Sequence, residues 1–164
     1  MTDREEWEKF HSKYMMDRMP DINLLYFIYY NYGRDLNDKK IIDIGCGQGG
    51  NVIYLIGGGA TVTGLDYSVQ AINDLEAKLL KCGFNNYSLM CADITKEPLL
   101  EKEYDCMVMN SIFTSIDKKD VGYAFNNIMG TIKKNGKFFI KELWKDNDRN
   151  NKYFRRSGTY NFQG

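Results

Sequence analysis

The sequence predicts an α/β fold, an open and doubly wound sheet whose strands run mostly parallel. Two observations carry this reading. Short apolar runs ending at Gly or Asp alternate with stretches whose apolar residues recur every three or four positions. One such run, Ile41-Ile42-Asp43-Ile44, feeds directly into Gly45-Cys46-Gly47-Gln48-Gly49-Gly50. A buried strand, a glycine loop and a helix in that order let a ligand approach the backbone at a helix N-terminus.

The elements follow in order. Trp7, Phe10, His11, Tyr14 and Met15 lie at steps of three and four over residues 4–18, the stripe of a first helix that Pro20 ends. Leu24, Leu25, Phe27 and Ile28 mark a second helix over 22–32, and Gly33 leads out of it. Lys40 to Ile44 is almost continuously apolar, which suits a strand buried on both faces. Asn51 to Ile56 reads as a helix closed by Gly57-Gly58-Gly59. Ala60 to Leu65 is a second strand, ending at Asp66. Val69, Ile72, Leu75 and Leu79 mark a helix that stops near Gly83. Tyr87 to Cys91 and Tyr104 to Met109 are the third and fourth strands. Val121, Phe125, Ile128 and Ile132 mark another helix, and Asn135-Gly136 turns into a fifth strand, Lys137 to Leu143. The predicted organisation is one domain over 1–164. Residues 1–38 form a helical N-terminal cap, 39–143 a Rossmann-like core and 144–164 a polar tail.

Composition narrows the function classes. The 164 residues are 43% hydrophobic, enough to fill one core. Twenty-two basic residues balance 22 acidic ones, so no global field draws the chain to nucleic acid or an anionic membrane. No apolar run approaches the roughly 18 residues of a membrane span, and the N-terminus lacks the apolar stretch of a secretion signal. Cys46, Cys82, Cys91 and Cys106 form no C-x-x-C pair, so they read as reduced thiols in a cytoplasmic protein, with no metal site implied.

The chemistry concentrates at the first strand's end. Asp66 closes the next strand, 66 − 43 = 23 positions after Asp43, where a carboxylate can grip two ribose hydroxyls. An adenosine-type cofactor is therefore expected, and two classes fit. Gly45, Gly47 and Gly50 satisfy the G-x-G-x-x-G of dinucleotide binders, a weak match alone. Asp43 argues the other way. An anion two residues before the first glycine repels a pyrophosphate but suits a cofactor with an ammonium and a sulfonium.

Asp43 followed by Gly45-x-Gly47-x-Gly49 resembles the first motif of class I S-adenosylmethionine (SAM) methyltransferases, and Cys91-Ala92-Asp93-Ile94 resembles their adenine-binding segment. The resemblance covers roughly residues 39–143. It implies that Gly45, Gly47 and Gly49 pack under the methionine part of SAM, with Cys46 in the same loop and Asn51 at the start of the helix as further cofactor-binding residues. Asp43 would orient the amino group and Asp66 hold the ribose, with Tyr67 beside the adenine. Ala92 would line the adenine segment, Asp93 would accept from the exocyclic amine, and Ile94 would pack on the ring. Asn110 would line the methionine side and Tyr14 would touch the cofactor from the first helix. Each has a plainer alternative. The glycines could serve a tight turn, Asp66 or Ser68 could cap a helix, and Asp93 could be a turn residue.

Methyl transfer is an in-line displacement that depends largely on positioning, so a catalytic base is hard to read. His11, the only histidine, and Glu142, at the end of the fifth strand, are the candidates. A packed histidine and an exposed strand end are their alternatives. Asn110-Ser111-Ile112-Phe113 stands where amino-group methyltransferases carry Asp/Asn-Pro-Pro-Tyr/Phe; both prolines are missing, which weighs against methylation of a base or amide. The family also adds sixth and seventh strands for which the polar residues 144–164 leave no room. Phe138-Phe139-Ile140 would then lie on an open edge, predicting a homodimer through the fifth strand. The expected activity is transfer of a methyl group from SAM to a small-molecule oxygen or nitrogen, with S-adenosylhomocysteine as product and neither nucleic acid nor membrane as partner. The competing readings are a SAM-binding module inactive in this short form, an NAD-binding domain, and a nucleic-acid methyltransferase.

Overall fold

A computed structural model describes residues 19–99, 104–145 and 153–160. The predicted first helix lies outside them. Helix α1 (Ile22–Tyr32) begins where Asp21 accepts the Asn23 N–H at 2.9 Å, and it ends at Gly33, whose φ of 77° disfavours any side chain. Strand β1 (Lys40–Ile44) leads to α2 (Gly50–Gly57) and β2 (Thr61–Asp66). Helix α3 (Val69–Lys81) is capped by the Ser68 hydroxyl, and Lys78 and Lys81 stand in its last turn, where the dipole favours cations. Strands β3 (Tyr87–Cys91) and β4 (Tyr104–Asn110) precede α4 (Val121–Met129), β5 (Ile132–Lys145) and β6 (Tyr153–Tyr160).

The strand order is β3-β2-β1-β4-β5-β6, parallel from β3 to β5, with β6 antiparallel at the end. Side chains alternate across it, as the pleat requires. Ile41, Cys106 and Val108 pack into one core layer with Leu24, Leu55, Leu75 and Leu79, so α1, α2 and α3 cover that face. Ile42, Ile44, Met107 and Met109 face the other way, toward Ala124 and Ile128 of α4. Burial on both faces is why β1 reads as an unbroken apolar run. The expected α/β open sheet is the observed one. Among the described residues no helix is long and apolar enough to cross a membrane.

Two expectations are corrected. Ile132 does not continue the last helix. Gly130 caps it, the Thr131 hydroxyl donates back to the Ile128 carbonyl at 2.8 Å, and Ile132 pairs with Tyr104 as the first residue of β5. The register then shifts before Cys106 pairs with Lys137, with Asn135 at φ 67° inside the irregular stretch. Residues 144–164 are not merely a polar tail either. Residues 153–160 form β6, from Lys145↔Tyr153 to Phe138↔Tyr160. An edge strand needs backbone partners rather than burial on both faces, so a polar sequence can supply one. With β5 paired on both sides, the homodimer expected from its open edge loses its premise.

Candidate functional site

A cavity of about 870 Å³ opens at the carboxyl ends of β1, β2 and β4 and beside the segment after β3, the crevice where open α/β sheets bind ligands. Of the sequence-predicted cofactor residues that are described, all but Asp43 line it. Gly45, Cys46, Gly47 and Gly49 line it from the loop after β1, Asn51 from the first turn of α2, and Asp66 and Tyr67 from the end of β2. Ala92, Asp93 and Ile94 line it after β3, and Asn110 at the end of β4. His11 and Tyr14 lie outside the described residues.

The loop's shape follows from its glycines. Gly45, Gly47 and Gly49 take φ of 70°, 51° and 85°, a region disfavoured for side chains. A Cβ on Gly45 would run into Ile112, and one on Gly49 into Leu75. The turn therefore brings bare backbone to the cavity wall. Asp66 braces it, accepting the Gly47 N–H at 2.8 Å on Oδ2 and the Ser68 N–H at 2.9 Å on Oδ1. The hydroxyl cap of α3 is Ser68, with its Oγ 3.1 Å from the Ala71 N–H; among the described residues Asp66 keeps one lone-pair position on each oxygen.

Asp43 is 1% exposed, and its Oδ2 has no hydrogen-bond partner among the described residues. Burial first, then the negative charge of Asp66, push its carboxyl up to about 8, against the opposing hydrogen bond from Asn51. The site thus holds a buried carboxyl that needs a cation or donor beside it. Asp43 stands behind the lining formed by Ile44, Gly45 and Cys46, and its charge disfavours an anionic diphosphate beside it more than a cation. Burial and the same two carboxylates hold the Cys46 thiol protonated.

Asp93 has a turn role in this structure. Its Oδ1 accepts from the Thr95 N–H at 3.0 Å and hydroxyl at 2.6 Å, and its Oδ2 pairs with Lys96 at 2.7 Å. Although burial acts to raise it, these partners hold its carboxyl below the usual range. Glu142 is not in the cavity wall. Its Oε1 accepts the Ile112 and Phe113 N–H groups at 3.0 and 3.1 Å, and its Oε2 the Thr114 N–H at 3.3 Å. It thereby caps the single-turn 3₁₀ helix Phe113–Ser115 and holds Ile112 beside Gly45.

Sequence reasoning missed Asp21, which lines the cavity, and its buried partner Lys141. A lone lysine within the apolar Phe138-Phe139-Ile140-Lys141 stretch was the available signal. Among the described residues no group of three or more His, Cys, Asp or Glu could hold a metal ion.

Comparison with known proteins gives a consistent result. Residues 35–161 match the family model described as a methyltransferase domain. An uncharacterised protein of Haemophilus influenzae is 28% identical over 148 residues, 79% of this chain and 57% of its own length. TehB from Haemophilus influenzae superposes with a TM-score of 0.70 at 23% identity, over 90% of this chain and 48% of that one. Coclaurine N-methyltransferase, solved with N-methylheliamine and S-adenosylhomocysteine, gives 0.63 at 22% identity, over 74% and 36%. The chain spans about half the length of these proteins or less than two thirds of it in every case.

Proposed function

This chain belongs to the methyltransferase domain family, and we propose that it transfers a methyl group to a small-molecule oxygen or nitrogen. Its cofactor is S-adenosylmethionine, which when bound supplies an electrophilic methyl on a sulfonium. The observation that carries the reading is the buried Asp43 carboxyl beside the glycine loop, whose Oδ2 has no hydrogen-bond partner among the described residues. An ammonium there converts an unfavourable burial into an ion pair.

The other residues follow in the same reading. The glycine loop lies against the methionine part. Asp66 accepts from the ribose hydroxyls with the lone pairs that Gly47 and Ser68 leave. Tyr67, Ala92 and Ile94 flank the adenine, and Asp93 accepts from its amine with the position left on Oδ2. Asn110 borders the methionine end. Tyr14, outside the described residues, is assigned in this reading to touch the cofactor. Catalysis by this chain consists of holding the acceptor in line and excluding water. Glu142 acts as a positioning residue, through the segment it caps. The four free cysteines support a reducing, cytoplasmic location. The balanced charge supports a small acceptor rather than a nucleic acid.

The test is turnover. The chain is incubated with methyl-labelled SAM and pooled amines, phenols and alcohols, and S-adenosylhomocysteine formation is read. Acceptor-dependent product supports the reading. Cofactor binding without turnover on any pool favours the alternative, a SAM-binding module that is inactive in this form.

A further inference from the structure

Asp43 stands behind the cavity lining, and Asn51 is a lining residue that reaches it. Asn51 lies in the first turn of α2, and its carboxamide is used at both ends. Its Oδ1 accepts the Asp21 N–H at 3.1 Å, so Nδ2 is the end that donates to Asp43. Asp21 is itself a junction. Its carboxylate caps α1 through Asn23 and takes Lys141 of β5 and Asn110 of β4, and its carbonyl accepts the Leu25 N–H at 3.1 Å. Met19 and Asp21 bring this junction into the cavity wall. A buried carboxyl behind one wall and the start of the helix that forms another thus meet on a single amide.

We propose that Asn51 is a positioning residue that couples occupation of the cofactor site to the wall at the start of α1. This rests on the S-adenosylmethionine reading and goes beyond it. The other ionisable groups that act on Asp43 or respond to it are Asp66, Cys46 and Cys106, and none is a cation. Among the described residues the charge that favours an ionised Asp43 must therefore come with the ligand, as its ammonium. Once Asp43 is a carboxylate, the bond from Asn51 Nδ2 becomes charge-assisted and roughly doubles in strength. A more firmly held and more polarised amide presents Oδ1 more strongly to the Asp21 N–H. The start of α1 tightens when the cofactor binds. By linkage, a loosened start of α1 weakens the cofactor. A side chain that only tied α2 to α1 would make the same bond with and without ligand.

The test is amide hydrogen exchange by NMR on the full chain, read at Asp21 against Cys82. The Cys82 N–H bonds to the Lys78 carbonyl at 3.0 Å at the far end of α3 and reports overall stabilisation. Saturating S-adenosylhomocysteine should slow exchange at Asp21 about fivefold more than at Cys82. In Asn51→Leu, which is close in volume and lacks both bonds, that difference should fall below twofold at saturating ligand. Asp43→Asn keeps an acceptor for Asn51 but no charge; it should lose the difference too, and it decides the matter if Asn51→Leu fails to fold or to bind. A difference under twofold in the parent, or one that persists in either variant, overturns the inference alone. Failure of S-adenosylhomocysteine to bind the parent, read by calorimetry, overturns the cofactor reading and this inference with it.

Discussion

Replacing Asp43 with Asn removes a buried ionisable group and nothing else of comparable size. In the free protein the Asp43 carboxyl is raised from 3.8 to about 8 by burial and by Asp66. Its unfolded counterpart ionises near 3.8, so between these values the unfolded chain carries fewer protons than the folded one. Stability is then fully present below about 3.8 and is lost as pH rises toward 8. One such group costs about 1.4 kcal/mol per pH unit within that window. Asp21, Asp93 and Asp105 are lowered. Their stabilisation is present above the unfolded value and lost only in acid, so they do not interfere at pH 5–7. The single histidine is common to both proteins and cancels in the difference. Urea unfolding without ligand at pH 5, 6 and 7 should therefore show the variant gaining on the parent by about 1.4 kcal/mol per unit. In heat denaturation that is roughly 3–5 °C per unit for a chain of this length. Parallel pH profiles for the two proteins would refute the assignment of a neutral, buried Asp43.

Four further outcomes follow. Asp66→Ala should weaken S-adenosylhomocysteine by about 10- to 100-fold, the scale of losing charge-assisted hydrogen bonds; calorimetry measures it, and a change under threefold would remove Asp66 from the ribose site. Gly49→Ala places a side chain at φ 85° against Leu75 and should destabilise the fold by about 1–3 kcal/mol in urea. Glu142→Gln should lower turnover without shifting the pH–rate profile, because the carboxylate holds three backbone N–H groups; a lost basic limb would make it the catalytic base instead. Truncation after Lys145 removes β6 and should produce concentration-dependent self-association, read by light scattering.

The core was legible because its signals are steric. A strand buried on both faces must be apolar, and a turn at positive φ must be glycine, so β1 and the loop after it announce themselves. Asp43 and Asp66 were legible for the converse reason, being carboxylates at the ends of apolar runs. Other residues left weaker traces. The apolar spacing that ends at Ile132 fits a helix as well as a strand, and only Gly130 and the Thr131 bond decide it. Strand β6 is polar because an edge imposes no burial. Glu142 looks like a free acid until the fold brings the amides of 112–114 to it. Asp21 and Lys141 lie 120 positions apart, and no local pattern joins them.

The central claim is that the cavity binds S-adenosylmethionine with Asp43 facing its ammonium. Calorimetric titration with S-adenosylhomocysteine at pH 7, in phosphate and in Tris, tests it most directly. Ionisation of Asp43 against the ligand should release close to one proton per site, seen as a difference in heat between the buffers, and Asp43→Asn should release none. NAD should give no heat of binding. Binding of NAD in preference, or S-adenosylhomocysteine binding with the same proton balance in parent and variant, would contradict the account.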